Sequence, residues 1–265
     1  MGIYLNPNNA LLKQARKSEI FVDKSMMISE LNKLLDSENK FLCVSRPRRF
    51  GKSLTVSTLK NIFEGNRELF NGLAISKENY DWEKHPVISL NLANCNIFNA
   101  EDLREYFVDF MSGICETFGI EKPVNLENKN KLGATFSVII QKFHAKAGTV
   151  VILVDEYDKP ILNNVDLPQD ELQKILSALK DFYSAIKASD SYLRFVFITG
   201  VSKFCHVSLF SDLNSLTDIS MHQDYAAMCG YTKDELKTNF SEHIDFFSKK
   251  REMPQEKLIE KLKNM

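Results

Sequence analysis

Three consecutive residues, Gly51, Lys52 and Ser53, carry the most specific chemistry in the sequence. A glycine lets the backbone approach an anion closely, and a lysine ammonium neutralises phosphate oxygens. A serine hydroxyl at a helix N-terminus can face a Mg²⁺ ion bound to those phosphates. The tripeptide is common by itself; its setting makes it informative. The apolar run "FLCV" at 41–44 precedes it, and Leu54, Leu59, Ile62 and Phe63 follow at helical spacing, so it falls on a strand–loop–helix junction. A second pair, Asp155 and Glu156, closes the apolar run "TVVILV" at 149–154. Carboxylates at the carboxyl end of a buried strand sit where the ligand crevice of an open α/β sheet opens. Asp155 suits the water shell of Mg²⁺ and Glu156 suits polarisation of an attacking water, so Glu156, Lys52 and Asp155 are the expected catalytic residues and Ser53 and Asp155 the expected metal-side residues. Asp158, in the same "DEYD" stretch, reads as the N-cap of a helix starting near Pro160. In "FITGVSKF", Thr199, Ser202 or Lys203 would lie beside the Asp155 strand, close enough to sense a terminal phosphate; a plain strand-to-loop transition fits equally well.

The elements that must position these residues are legible as alternating patterns. "FLCV", "PVISLNL" at 86–92, "TVVILV" and "LRFVFITGV" at 193–201 are apolar without strict alternation, as expected of strands covered on both faces of a parallel sheet. Between them, Leu103, Phe107, Phe110, Met111, Ile114 and Phe118 share one helical face, and Gly119 follows as a stop. Phe136, Ile139, Ile140 and Phe143 repeat the pattern before Gly148, and Leu172, Ile175, Leu176, Leu179 and Phe182 repeat it again. Strands alternating with such helices predict right-handed βαβ units in a doubly wound α/β fold. The loop and Asp155 are separated by about a hundred residues, room for an added strand between them. Asp23 and Lys24, before the first strand, either close over a ligand or cap a helix over 25–35. From Gly230 the chain turns polar and helix-forming, which predicts a P-loop domain over 1–229, with a lead-in over 1–40, and a small helical appendage over 230–265.

Composition narrows the classes. Among 265 residues, 44% are hydrophobic and 26% charged, and 34 basic residues nearly balance 35 acidic ones. Such a chain has no bulk field to draw it to nucleic acid or anionic lipid; only the arginine-rich loop and "KKR" at 249–251 would serve locally. The five cysteines, Cys43, Cys95, Cys115, Cys205 and Cys229, are scattered and form no Cys-x-x-Cys pair, so they read as buried thiols of a reducing compartment. The five histidines show no metal-ligand spacing. No stretch reaches the roughly 18 unbroken apolar residues of a membrane span, and a cytoplasmic location is expected. "NKNK" at 128–131 lacks the aspartate of a guanine reader, which favours ATP over GTP.

Together "YLNPNN", "IFVDKS", "SRPRRFGKSL", "LVDEYDKPIL", "FITGVSKF" and "CGYTKDEL" resemble the bacterial AAA-ATPase-like family of P-loop NTPases, from about residue 3 to residue 240. The resemblance implies an α/β P-loop fold with a mostly parallel sheet, ATP and Mg²⁺ as ligands, and ATP hydrolysis. Arg46 stands where the first glycine of a phosphate loop would be, which is also the family's pattern. It implies guanidinium groups of Arg46, Arg48 and Arg49 around the phosphates, replacing part of the backbone cradle by charge-assisted hydrogen bonds; for Arg48 and Arg49 a solvated basic loop is the plainer reading. The expected nucleotide-binding set is Arg46, Pro47, Arg48, Arg49, Phe50, Gly51, Lys52, Ser53 and Leu54, with Ser202 from the strand end beside Asp155. Usual members continue into a nuclease-like domain of the PD-(D/E)XK superfamily, and this chain stops near where that domain would begin. Expected partners are ATP and such a domain or another protein, with self-association open. The alternative to an ATPase is a nucleotide-gated binding module with little turnover.

Overall fold

Five parallel strands form one sheet in the order β2-β3-β4-β1-β5. They are β1 (Phe41–Ser45), β2 (Val87–Asn91), β3 (Val150–Asp155), β4 (Leu193–Gly200) and the two-residue β5 (Thr217–Asp218). The computed structural model describes residues 9–27, 30–31, 40–93, 95, 97–202 and 216–263. Lys203, Cys205, His206, most of the "YLNPNN" stretch and much of the helix expected over 25–35 lie outside the described residues; residues 25–27 and 30–31 are helical.

The apolar runs lack alternation because both faces of the sheet are covered. Side chains alternate along a strand, and here alternate positions enter two different cores. Leu42 and Val44 of β1, Val151 and Leu153 of β3, and Phe195 and Phe197 of β4 pack with Val56, Leu59, Ile62 and Phe63 of α2 (Lys52–Phe63) and with Leu12 of α1 (Asn9–Ala15). Cys43, Ile152, Val154, Val196 and Ile198 face the other way, onto α3 (Ala100–Phe118), α4 (Leu132–Ala147) and α6 (Gln169–Ala188). Phe182 of α6 centres that second core, stacked on Phe107 at 4.1 Å and on Phe136 at 4.3 Å. The helical faces expected from spacing are the ones buried, and Gly119 ends α3 with φ 58°, a left-handed position that glycine reaches without a Cβ penalty.

Between the layers run short connections: α5 (Lys159–Leu162) after β3, and 3₁₀ turns at Arg67–Phe70, Ala74–Lys77, Asp190–Tyr192 and Gln223–Tyr225. After β5 the chain is helical, in α7 (Lys233–Asn239), α8 (Ser241–Lys250) and α9 (Gln255–Lys263). α7 opens with a capping box between Thr232 and Glu235. Among the described residues no helix is long and apolar enough to cross a membrane.

The four described cysteines, Cys43, Cys95, Cys115 and Cys229, are buried and in no disulfide. Burial pushes the Cys95 thiol up to about 12, and raises those of Cys115 and Cys229 as well. Because the thiolate is the reactive form, these four cysteines should resist iodoacetamide in the native protein at neutral pH and react once urea unfolds it. Peptide-resolved mass spectrometry checks this; rapid native labelling of Cys95 would contradict the packing around it.

Candidate functional site

The carboxyl ends of β1, β4 and β3 lie side by side. Ser45 pairs in register with Gly200, and Val154 with Ile198, so Thr199 and Asp155 come level one step further on. Asp155 continues the parity of Val151 and Leu153, and Thr199 that of Phe195 and Phe197, which puts both side chains on the sheet face that carries α2. There the buried Thr199 hydroxyl donates to Asp155 Oδ1 at 2.5 Å. The Leu92 N–H donates to the Asp155 carbonyl at 3.0 Å, so the end of β2 helps hold this residue.

From β1 the chain enters a loop of special backbone geometry. Arg49 has φ 68° and Gly51 φ 87°, the latter as the left-handed N-cap residue of α2. The loop thus delivers the chain to a helix whose first turn has no acidic side chain, leaving its free N–H groups and positive dipole end available to an anion. Lys52, the first helical residue, is buried, and its ammonium donates to the loop carbonyls of Arg46 at 2.9 Å and Pro47 at 3.0 Å. Ser53 follows in the same turn, half-buried.

Phosphate chemistry fits these donors. The ammonium of Lys52 and the N–H groups of the α2 start suit phosphate oxygens, while the Ser53 hydroxyl and Asp155 carboxylate are hard oxygen ligands of the kind Mg²⁺ takes alongside water and phosphate. Among the described residues no group of three or more His, Cys, Asp and Glu side chains is gathered to hold a metal without such a co-ligand.

A cleft of about 260 Å³ opens beside the loop. Arg49, Phe50 and Gly51 form one side with Leu54, Thr55 and Thr58 of α2. The segment 20–25 forms a second side, and Met228, Gly230 and Tyr231 a third. Two bonds tie these sides together. The Gly230 N–H donates to the Phe50 carbonyl at 2.9 Å, and the Lys24 ammonium bridges both oxygens of Glu235 at 2.5 and 2.6 Å. Burial pulls the Glu235 carboxyl upward, but the bonds from Lys24 and from the Thr232 backbone outweigh it and leave its pKa below the usual glutamate value. Such a depressed carboxyl stabilises the fold above the ordinary glutamate range and ceases to do so as pH falls through its lowered pKa.

A family model described as "Predicted AAA-ATPase" matches residues 12–210, a span that includes the loop, α2 and the ends of β3 and β4. The chain belongs to the AAA-ATPase-like family. It is 41% identical over 203 residues to an uncharacterized protein in the vnfD 5' region of Azotobacter chroococcum mcd 1, a match covering 76% of this chain and 38% of the relative.

Within this AAA-ATPase-like chain, the residues expected from sequence do not all take the expected positions. Lys52 and Ser53 open α2 on the sheet face to which the Asp155 and Thr199 side chains also turn. Glu156 follows Asp155 with φ 57°, and its carboxylate lies 3.9 Å from the Lys159 ammonium, both side chains half-buried. Arg46 is half-buried and committed to backbone: its N–H donates to the Gly200 carbonyl at 3.1 Å, and its guanidinium donates to the Ser220 carbonyl. Arg46 therefore joins the exits of β1, β4 and β5. Pro47, Arg48, Arg49, Phe50 and Gly51 are exposed, and Leu54 is half-buried against the cleft. Asp23 caps rather than reaching over the loop, accepting from the Ser25 and Ala74 N–H groups at 2.9 and 2.6 Å.

Two residues have roles that the sequence does not indicate. Asp158 occupies the N-cap position of α5, yet its side chain makes no cap bond. Its Oδ2 instead accepts from the N–H groups of Val201 and Ser202 at 2.8 and 2.6 Å, so the carboxylate clamps the exit of β4. Ser202 contributes its backbone to that clamp, and its carbonyl accepts from the Tyr157 hydroxyl at 2.6 Å. The other residue, Gly200, was not singled out: an added Cβ would come within 2.2 Å of the buried Tyr157 ring. Neither role leaves a local signal, because each depends on two strand ends meeting across the sheet. Gly200→Ala should force Tyr157 to shift and destabilise the fold by about 1–3 kcal/mol, the usual cost of overpacking. A urea titration measures this, and an unchanged midpoint would contradict the close approach.

Proposed function

We propose that this site binds ATP together with Mg²⁺ and hydrolyses it. The observation that carries the reading is the buried Asp155–Thr199 bond, level with the β1 exit and on the face of the sheet where α2 begins. That arrangement supports reading the α2 start as a phosphate site and Asp155 as a metal-side carboxylate of one crevice. Family membership supports the same reading. Bound Mg²⁺ would supply Lewis-acid stabilisation of phosphate charge, with Ser53 and Asp155 as its protein-side residues.

In this reading Lys52 exchanges its loop carbonyls for phosphate oxygens. Those carbonyls keep the ammonium inside the loop, so little reorganisation is needed when an anion arrives. Arg48 and Arg49, exposed on the loop, add charge around the phosphates, while Arg46 holds the loop's root through its backbone contacts. Thr199 fixes the Asp155 carboxylate, and Asp158 fixes the backbone from Val201 to Ser202 on the opposite side of the crevice. Glu156 orients and polarises the attacking water.

A second reading, a nucleotide-gated module with little turnover, draws on the 3.9 Å approach of Lys159 to Glu156. An ammonium beside that carboxylate competes with water for its oxygens. The chain spans 38% of its relative, so the recipient of any nucleotide-dependent change, whether a nuclease-like domain or another protein, belongs to this proposal too. So does the division into a P-loop domain over 1–229 and a helical appendage over 230–265.

Lys52→Ala should weaken ATP binding by roughly 1.5–3 kcal/mol, the scale of a lost charged hydrogen bond. Glu156→Gln should keep ATP affinity while hydrolysis falls by about 10²- to 10⁴-fold, and Asp155→Asn should impair Mg²⁺-dependent binding as well as turnover. Isothermal titration and single-turnover phosphate release, side by side at fixed Mg²⁺, test all three. Wild-type hydrolysis by Glu156→Gln would remove Glu156 from the mechanism. ATP bound tightly by wild type without phosphate release would favour the gated module, and unchanged affinity in Lys52→Ala would overturn the phosphate site.

A further inference from the structure

Little in the side chain of Glu156 fixes where its carboxylate points. The Lys159 ammonium stands 3.9 Å away, beyond hydrogen-bond distance, and the glutamate is half-buried. Its aim is therefore set by its backbone, which takes the left-handed φ of 57°. A residue with a side chain keeps such a conformation only where its surroundings over-determine it. The neighbours of Glu156 supply that determination, and their side chains all reach one segment, 199–202, at the exit of β4. Before it, Asp155 accepts from the Thr199 hydroxyl at 2.5 Å. After it, Tyr157 donates twice, from its N–H to the Thr199 carbonyl at 3.0 Å and from its hydroxyl to the Ser202 carbonyl at 2.6 Å. Asp158 Oδ2 accepts from the N–H groups of Val201 and Ser202 at 2.8 and 2.6 Å. The remaining residue of the segment, Gly200, has the Tyr157 ring where a Cβ would stand.

Neither Tyr157 nor Asp158 is placed to act on a nucleotide directly, since they are 0% and 1% exposed. Asp158 uses one oxygen for both N–H groups, while Oδ1, beside Gly200, has no hydrogen-bond partner among the described residues. We infer that Tyr157 and Asp158 are positioning residues for hydrolysis: by tying the 155–158 turn to the β4 exit they aim Glu156, and they leave nucleotide binding to the loop after β1. This rests on the proposed role of Glu156 in orienting water and adds the contacts that hold it in that role. Because the turn and segment 199–202 are bonded residue by residue, freeing Val201 and Ser202 re-aims Glu156 although neither need touch it. Misplacing a catalytic group by about 1 Å is enough to slow a reaction roughly 10²-fold.

The test measures ATP affinity by isothermal titration and single-turnover phosphate release at fixed Mg²⁺, with Asp158 and Tyr157 variants made alone and combined with Glu156→Gln. Asp158→Ala, which releases both N–H groups, should slow hydrolysis about 10²-fold and leave ATP affinity within about twofold of wild type. Asp158→Asn, whose side-chain carbonyl can stand in for Oδ2, should stay within about fivefold of the wild-type rate. Tyr157→Phe keeps the ring beside Gly200 and loses only the bond to Ser202; it should slow hydrolysis about tenfold, and it reads the same effect if Asp158→Ala does not fold. In the Glu156→Gln background, where the aimed carboxylate is already gone, Asp158→Ala and Tyr157→Phe should each slow hydrolysis by less than about threefold more. Losses that multiply in full in that background would overturn the inference and leave the role of Glu156 standing. So would ATP affinity falling as far as the rate, or Asp158→Asn as slow as Asp158→Ala. A wild-type rate in Glu156→Gln, or no phosphate release by the wild type, would overturn the role of Glu156 and this inference with it.

Discussion

A carboxylate buried at the end of a strand needs a donor, and Asp155 finds one in the neighbouring strand's Thr199. Much of the site depends on that bond. Left without a partner, a buried polar group costs several kcal/mol; the Thr199 hydroxyl supplies that partner. The bond also sets the two strand ends level. A one-residue slip of β4 would turn Thr199 onto the opposite face of the sheet and separate the pair. Register, burial and charge are thus one constraint, and the hydrophobic packing on both faces of the sheet enforces it.

Around this pair the crevice is built mainly from backbone. Loop carbonyls hold Lys52, the Gly200 and Ser220 carbonyls hold Arg46, and Asp158 receives two successive N–H groups. Side chains that might have reached into solvent are used to tie strand exits to one another. The result is a rim that is rigid where strands end and open where the loop runs exposed from Pro47 to Gly51. Rigid support under an accessible loop is what preorganised anion binding requires.

Much of the sheet and its covering helices was legible because burial on both faces leaves a signal along the chain: unbroken apolar runs for β1, β3 and β4, and three- and four-residue spacing for α3, α4 and α6. The two-residue β5 was not legible, since Thr217–Asp218 is too short to show any period and owes its pairing to β1. Within the site, the placement of Lys52 and Ser53 at a helix start and of Asp155 at a strand end could be read from type and position. The work of Arg46, Asp158 and Gly200 could not, because their partners lie far along the chain. The family resemblance implied that Arg46 would face phosphate; in the structure its guanidinium donates to the Ser220 carbonyl. Nor could the third wall of the cleft be foreseen, because "CGYTKDEL" reads locally as nothing more than a helix start.

Glu156 sits with φ 57°, a left-handed backbone that costs a residue with a side chain about 1–2 kcal/mol and costs glycine almost nothing. Drift toward greater stability would therefore favour glycine at this position. On the proposed reading, a glutamate held there sets folding against chemistry. On that reading the protein could be made sturdier by a single substitution that silences it, so that thermal robustness and competence trade against each other at this one turn.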